Sequence, residues 1–147
     1  MHLDETDVKI LKALTLDARL SSRQIAKQCE ISIGTVLTRV KRMEKEGVIK
    51  GYSALLEHEK LGYELTVVTE ITVSKGRLLE VENEIARLPN VSCVYDVTGL
   101  TDAFIIAKFK TREELSKFTK RILAIPYVER TNTHVVLTTI KEDFRII

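Results

Sequence analysis

The fold of the N-terminal part is decided by residues 21–43, which read SSRQIAKQCEISIGTVLTRVKRM. Ser21 precedes a short stripe of apolar residues at helical spacing, and Gln24 follows it by three positions, which is the pattern of a capping box. Ser32 precedes a second such stripe and can cap a second helix in the same way. Because only a two-residue turn and this cap separate the helices, the stretch predicts a helix-turn-helix.

The residues on either side of this stretch complete a small helical domain. Before it, Asp4 can cap a first helix whose apolar residues recur at helical spacing up to Leu14. After it, Gly47 suits the left-handed position that ends a helix, and the following residues have the character of a strand that leaves the domain. We therefore place the helical domain in residues 1–50, a connecting strand and linker in residues 51–64, and a second domain in residues 65–147. The strand-like run itself spans residues 48–55 and so begins at the end of the helical domain.

The composition is that of a globular protein whose charge is unevenly distributed. Apolar residues make up 44% and charged residues 30% of the 147-residue chain, and the net charge is +2. Residues 1–50 carry ten Lys and Arg against seven Asp and Glu, whereas residues 51–147 carry thirteen against fourteen. The N-terminal part is therefore the candidate to meet a polyanion.

The sequence also speaks against several classes of protein. No run approaches the roughly 20 apolar residues of a membrane span, and the first residues lack the order of a secretion signal. Two cysteines and three scattered histidines do not form a recognisable metal site. We expect a cytoplasmic protein with no metal, no cofactor and no membrane partner.

The C-terminal part contains an internal repeat with an offset of 37 residues. Leu78 matches Leu115 and Pro89 matches Pro126, with further apolar matches between them at helical spacing. A strand-like run stands before and after each helix, which gives the order β-α-β-β-α-β of a ferredoxin-like domain. We expect the strands at residues 65–73, 91–98, 103–109 and 128–140.

Two helices can cover only one face of such a four-stranded sheet. The other face includes apolar or aromatic side chains, either Cys93 with Tyr95 or Val94 alone, depending on how the second strand is oriented. An uncovered apolar face implies a partner, most simply a second copy of the chain.

The third helix of the N-terminal domain has a polar side that suits a DNA major groove. Small residues near its start allow close approach to base edges, and Arg39 or Arg42 can pair with guanine or contact phosphate. The start of the preceding helix is placed for the phosphate backbone. The alternative is that these are solvated charges on an ordinary three-helix bundle. The candidate DNA-binding residues are Ser22, Arg23, Ser32, Gly34, Thr35, Thr38, Arg39 and Arg42.

A second candidate site is the turn between the second and third strands of the C-terminal domain, residues 98–102, which read TGLTD. Gly99 exposes backbone N–H groups that could bind a carboxylate, and Asp102 could pair with an ammonium group. These are complementary to the two ends of a free amino acid. The alternative is a hairpin turn that needs these residues for its geometry alone.

The motifs in this chain resemble those of the Lrp/AsnC (leucine-responsive and asparagine-regulator) family of feast/famine transcription factors. The N-terminal half has LDxxDxxILxxL from Leu3, DARxS from Asp17, IA at residues 25 and 26, and SxxTVxxRVxxMExxGVIxGY from Ser32. The C-terminal half has LPxV from Leu88, TGxxD from Thr98, IPxV from Ile125 and TxT from Thr131. The resemblance covers essentially the whole chain in order.

The resemblance implies an α+β protein, with an N-terminal winged helix-turn-helix domain whose third helix reads DNA and a C-terminal ferredoxin-like βαββαβ domain. It implies dimers that form through the sheet and assemble into octamers or larger arrays. It also implies a small effector, commonly an amino acid, bound between dimers near the Gly-x-x-Asp loop and the last strand. The effector residues that it implies are Asp96, Gly99, Leu100, Thr101, Asp102, Thr131, Thr133 and His134.

This chain departs from the family pattern at two positions. The family usually has an aromatic residue directly after the loop aspartate and a tyrosine at the position of His134, whereas here Ala103 follows the aspartate. The resemblance therefore does not carry over the identity of the effector.

The function that we expect is a sequence-specific DNA-binding transcription regulator that responds to an amino acid or similar effector and is not an enzyme. Its partners are promoter DNA, further copies of itself and the effector. One alternative is a tetrapyrrole (siroheme-type) decarboxylase on the same scaffold, in which His134 contacts substrate. A second is an amino-acid-sensing assembly module whose helical domain contacts protein. The basic third helix argues against the decarboxylase.

Overall fold

In a computed structural model, which describes residues 2–147, the chain divides into two compact units. The first contains the residues up to Leu55 together with Lys141–Ile147, and the second contains Leu56–Ile140. The last seven residues, which the sequence placed in the second domain, are thus grouped with the first unit. Phe144, Ile146 and Ile147 line a groove together with residues of α1 and of the segment after α3, and they remain largely exposed there.

The first unit contains three helices, and each begins at the cap that the sequence predicts. Asp4 accepts a hydrogen bond from a first-turn N–H, Ser21 and Gln24 exchange the two hydrogen bonds of a capping box, and Ser32 caps the third helix. These caps place the helix starts, and the buried apolar stripes then pack the helices on one another. The helices are α1 (Glu5–Leu16), α2 (Ser22–Cys29) and α3 (Ile33–Lys45), and their buried apolar residues are Ile10, Ala13, Ile25, Ala26, Cys29, Val36 and Met43.

The segment after α3 differs from the prediction. Gly47 has a φ of 72° and ends the helix as expected. The strand predicted at residues 48–55 is not formed, because no neighbouring strand of the described chain satisfies its N–H and C=O groups. Instead, the Tyr52 hydroxyl donates a hydrogen bond of 2.8 Å to Glu44 of α3. Apolar alternation gives a segment the character of a strand, but it cannot supply the partner that a strand requires.

The second unit is a four-stranded antiparallel sheet with two helices, which confirms the predicted βαββαβ order. The spatial order of the strands is β2-β3-β1-β4, and a short 3₁₀ turn, Glu59–Leu61, lies in the preceding linker. The first and third strands have the predicted bounds, whereas the second and fourth end earlier than predicted. The elements are β1 (Leu65–Val73), α4 (Leu78–Ile85), β2 (Val91–Asp96), β3 (Ala103–Phe109), α5 (Arg112–Leu123) and β4 (Val128–Val135).

The two faces of this sheet differ. Val94 pairs with the fully buried Ile105 and contacts the core beneath the helices, so Val94 faces inward. Its neighbours Cys93 and Tyr95 pair with Ile106 and Phe104 on the opposite face, which settles the orientation that the sequence left open. We call this face the open sheet face; its half-buried or exposed side chains are Val68, Glu70, Cys93, Tyr95, Phe104, Ile106, Asn132 and His134.

None of the helices in residues 2–147 is long and apolar enough to cross a membrane.

Candidate nucleic-acid interface and effector loop

The side of α3 that points away from the core is a mixture of polar and small residues. Successive residues of a helix are about 100° apart, so residues 34, 38, 41 and 45 lie together, opposite Val36 and Met43. These residues and Leu37 are exposed, and Leu37 retains 55% of its accessible surface. We call Gly34, Leu37, Thr38, Lys41 and Lys45 the outer face of α3.

The start of α3 carries a hydroxyl pair. Ser32 Oγ accepts a 3.0 Å hydrogen bond from the Thr35 N–H and lies 2.8 Å from Thr35 Oγ1. Ser32 and the adjoining Gly34 are exposed, whereas Thr35 is half-buried. A Cβ added at Gly34 would meet nothing closer than the Ser32 hydroxyl at 3.8 Å, so this glycine leaves an open surface rather than relieving a clash.

The two arginines that the sequence offered as base or phosphate contacts are held by the protein itself. Arg39 Nη1 forms ion pairs with Asp4 and Asp7, and Arg42 Nη2 donates a 2.6 Å hydrogen bond to Asp7. The side chain of Arg39 is 26% exposed and that of Arg42 is 42% exposed. The structure therefore places Arg39 at the edge of the core, about 60° around the helix from Val36, rather than on the outer face.

These ion pairs converge on one fully buried carboxylate. The side chain of Asp7 is 0% exposed, and it accepts hydrogen bonds from the Asp4 N–H and from both arginines. Burial raises the pKa of Asp7, but these hydrogen bonds outweigh it, so the pKa lies below its ordinary value. For Asp4, the hydrogen bond from Arg39 is the largest cause that lowers its pKa to about 2. Both carboxylates are therefore charged at neutral pH. We call Asp4, Asp7, Arg39 and Arg42 the arginine–aspartate cluster.

The start of α2 offers a more accessible cation. Ser21, and not Ser22, is the cap, and Ser22 is the half-buried first residue of the helix. Arg23 follows it, is exposed, and makes no ion pair within residues 2–147. It stands where a helix N-terminus favours phosphate.

In the second unit, the loop at residues 98–102 is fastened to the end of β1. The Thr101 hydroxyl donates a 2.7 Å hydrogen bond to the Ile71 carbonyl, and Asp102 Oδ2 accepts one of 2.7 Å from the Val73 N–H. Gly99 has a φ of 132°, and the neighbouring Leu100 is 99% exposed. The loop is thus anchored on its Thr101–Asp102 side and presents Leu100 outward.

Two aspartates act on the charge of a third carboxyl group, Glu82, beside this loop. Burial is the largest cause that raises the pKa of Glu82, on α4, and the charges of Asp96 and Asp102 raise it further. Glu82 Oε1 is buried without a hydrogen-bond partner among the described residues. The corner where β2 ends and β3 begins therefore has a negative potential that favours a cation.

The predicted effector residues on β4 lie on opposite faces of the sheet. Thr133 Oγ1 lies 3.0 Å from Thr69 Oγ1, beneath the helices, and Thr131 shares that side of the strand. His134 is on the open sheet face, where its Nε2 lies 2.9 Å from Glu70 Oε1. The structure thus brings residues 96 and 99–102 together, but one strand cannot present Thr133 and His134 to the same side.

Comparison with known proteins connects both units to one family. A winged helix-turn-helix DNA-binding model matches residues 3–50, and an Lrp/AsnC ligand-binding-domain model matches residues 66–146. The chain belongs to the Lrp/AsnC family of transcriptional regulators. An HTH-type transcriptional regulator of Pyrococcus furiosus is 48% identical over 146 residues, which cover 99% of each chain. The regulator FL11 of Pyrococcus horikoshii is 36% identical over 140 residues, covering 95% of this chain and 93% of FL11.

Solved structures of Lrp/AsnC proteins have the same fold as this chain. Escherichia coli AsnC superposes with a TM-score of 0.88 at 26% identity. The match covers 99% of this chain and 100% of AsnC. A Neisseria meningitidis transcriptional regulator, solved as its L-Met complex, has a TM-score of 0.89 at 26% identity over 99% of this chain and 97% of the other. Because the family and these relatives are transcriptional regulators, this Lrp/AsnC chain is a regulator and not an enzyme.

Sequence reasoning missed two features of the DNA-binding unit of this Lrp/AsnC protein. Leu37 was not among the predicted DNA-binding residues, yet it is exposed on the outer face, where an apolar side chain can contact a thymine methyl group. Asp7 was not recognised as a buried residue, although its side chain is fully buried. Its spacing from Leu3 and Ile10 is helical, which places it in the apolar stripe of α1, and a carboxylate in that position requires cationic partners.

Proposed function

We propose that this Lrp/AsnC regulator recognises a specific, roughly palindromic DNA sequence through the outer face of α3, with α2 contacting the phosphate backbone. The observation that carries the proposal is the composition of that face. Gly34 and Thr38 permit close approach to base edges, Leu37 offers an apolar contact, and Lys41 offers a charge. Within residues 2–147, the side chains of Thr38 and Lys41 have no hydrogen-bond or ion-pair partner. Ser22, Arg23, Ser32 and Thr35 adjoin this face and remain part of the proposed interface.

The roles of Arg39 and Arg42 are revised in this proposal. Both retain a place next to the interface, but their charges are balanced by Asp4 and Asp7. We therefore assign base recognition to Thr38 and Leu37, and backbone contact to Arg23 and Lys41.

Binding to a duplex that the wild-type protein selects from a random-sequence pool tests this assignment. Thr38→Ala should relax selectivity at one base pair by about 1–3 kcal/mol. Lys41→Ala should weaken binding to all sequences, and it should lower the slope of log Kd against log salt by about 1, because one fewer counterion is released. Lys12→Ala removes the same charge from exposed α1 and serves as the matched control. Equal effects of Lys41→Ala and Lys12→Ala would overturn the assignment of the outer face.

We also propose that the loop at residues 98–102 contributes to a site for an amino acid or a similar small effector. The negative corner formed by Glu82, Asp96 and Asp102 suits an ammonium group, and a solved relative is an L-Met complex. Thr131, Thr133 and His134 belong to the same proposal, but because they lie on two faces of β4, they can reach one ligand only if another chain completes the site.

A panel of free amino acids tests the effector site through thermal stabilisation. A ligand present at about 100 times its Kd stabilises the folded state by about 2.7 kcal/mol. Asp102→Asn should reduce this stabilisation, whereas Glu84→Gln, on the exposed side of α4, should not. Identical ligand titrations for wild type and Asp102→Asn would remove Asp102 from the site.

We propose further that the open sheet face is covered by a second copy, giving a dimer that assembles into octamers or larger particles. The apolar Val68, Phe104 and Ile106 lie together on it and have no cover within the second unit. Ile106→Glu should reduce particle size in sedimentation; an unchanged size would overturn this interface.

A further inference from the structure

The arginine–aspartate cluster connects residues that are distant in sequence but neighbours across the α1–α3 contact. Asp4 caps α1, Asp7 lies in the first turn of α1, and Arg39 and Arg42 are one turn apart on α3. All the carboxylate–guanidinium contacts of the cluster run between these two helices and none within one helix. The cluster is therefore a directional link between the start of α1 and the middle of α3.

The apolar core anchors α3 through Val36 and Met43, which are fully buried in the same cluster as Ile10 and Ala13 of α1. Close packing of these side chains already limits rotation about the helix axis, and the ion pairs of the cluster add contacts whose geometry depends on that rotation. Side chains reach about 5–6 Å from the axis of a helix, so a rotation of about 20° moves their ends by about 2 Å. That displacement exceeds what a hydrogen bond to a base edge tolerates.

We propose that Asp7, with Asp4, is a positioning residue for DNA recognition, which holds α3 through Arg39 and Arg42 at the rotation that presents its outer face to DNA. This inference rests on the proposed DNA-binding function and adds to it the residues that set the helix orientation. The two carboxylates act through the arginines and do not touch the nucleic acid.

The competing arrangement makes the opposite prediction for the same substitution. If Arg39 and Arg42 leave the aspartates to bind phosphate, each carboxylate competes with DNA for them. Loss of a carboxylate would then free an arginine, remove a negative charge from the interface and strengthen binding. If the cluster positions α3, loss of the carboxylate weakens specific binding although the domain becomes more positive. The sign of the effect separates the two arrangements.

The experiment measures the Kd of the full-length protein for the selected duplex and for an unrelated duplex, between 50 and about 300 mM salt. Asp7→Asn and Arg39→Gln should each weaken specific binding by about tenfold, and the double variant should be no weaker than the worse of the two. The slope of log Kd against log salt should not change, since no phosphate contact is lost. Arg39→Lys should not restore affinity, because one ammonium group cannot bridge both carboxylates as the guanidinium does.

Two further variants keep the test decisive. Glu5→Gln, on the exposed part of the first turn of α1, makes the same change of charge without touching the cluster and should leave specific binding unchanged or slightly tighter. Asp4→Asn keeps a capping side chain at a half-exposed position, so it should fold, and it should weaken specific binding severalfold even if Asp7→Asn melts too early to be measured.

The outcomes separate the inference from the function on which it rests. A wild-type protein that selects no duplex would overturn the proposed recognition and the positioning role together. Wild-type binding with unchanged or tighter binding of Asp4→Asn and Asp7→Asn, or a salt slope that falls in Arg39→Gln, would overturn the positioning role alone.

Discussion

Asp102 closes the end of the central strand β1 by accepting a hydrogen bond of 2.7 Å from the Val73 N–H. The residue therefore has a structural role in addition to its proposed role in effector binding. An aspartate and an asparagine can both accept this bond, but only the aspartate carries a charge.

A pair of substitutions at Asp102 should separate these two roles. Asp102→Ala leaves the Val73 N–H without its acceptor and should lower the free energy of unfolding by about 1–2 kcal/mol. Asp102→Asn keeps an acceptor and should change stability by less than half as much, while still weakening the effector response. Urea unfolding measures the first effect and ligand titration the second. Equal destabilisation by both variants would show that the charge, and not the hydrogen bond, holds the loop.

Glu82→Gln should stabilise the protein at neutral pH. The folded-state pKa of Glu82 is raised, so its charged form is disfavoured by folding and stability is lost as the pH rises from the unfolded-state pKa to the folded-state pKa. Neutral glutamine avoids this loss, which is about 1 kcal/mol for a poorly compensated buried group and roughly 3 °C in Tm. Calorimetry at pH 7 and pH 4 checks the prediction: the gain should be present at pH 7 and absent at pH 4, with Glu84→Gln as the exposed control.

The arginine–aspartate cluster should make the first unit sensitive to acid. The folded-state pKa values of Asp4 and Asp7 lie below their ordinary values, so their contribution to stability is complete above about pH 4 and is lost as the pH falls toward 2. Asp4→Asn should therefore melt below wild type at pH 6, and the gap should close by pH 2. A Tm gap that stays constant across this range would contradict the shift at Asp4. Asp143 titrates in the same window beside Arg145 and provides a comparison outside the cluster.

Tyr127 should tolerate replacement by asparagine because of its backbone conformation. It lies between α5 and β4 with a φ of 75°, where a non-glycine side chain costs roughly 1 kcal/mol or more and asparagine costs less. The Arg77 guanidinium lies 4.7 Å from the centroid of its ring, an interaction of about 0.5 kcal/mol at an exposed site. Tyr127→Asn should thus raise the free energy of unfolding slightly in the wild type, and by about 1 kcal/mol in a protein that already carries Arg77→Ala. Urea unfolding of the four proteins of this double-mutant cycle measures both gains. Equal gains in both backgrounds would show that the ring contact contributes nothing.

The sequence was sufficient for the helices and for the four strands of the sheet, because local rules determine them, but not for the strand expected at residues 48–55. Helical stripes, caps and the 37-residue repeat predicted the five α-helices found in residues 2–147 and the β-α-β-β-α-β order of the ferredoxin-like unit. The end of a strand was predicted less well where it depends on the length of the neighbouring strand. β4 was expected to reach Ile140 but ends at Val135, which pairs with Val67. Because β1 begins only two residues earlier, at Leu65, it has no partner for the last residues of the predicted strand.

The candidate sites were harder to predict because they depend on which side chains meet across elements. Arg39 was assigned to DNA from its charge and from its place on α3, but its two acidic partners lie more than 30 residues earlier in the chain. The periodicity of one helix does not reveal what the next helix places against it. The same limit explains the split of Thr133 and His134, which are neighbours in sequence and on opposite sides of the sheet.

The return of Lys141–Ile147 to the first unit means that position in the sequence is a poor guide to what a mutation in this protein perturbs. Phe144 lies within the part of the sequence that the ligand-binding-domain model matches, although it lines a groove with residues of the helical unit. Tags, truncations and labels placed at this end of the chain should accordingly be judged first by their effect on DNA affinity.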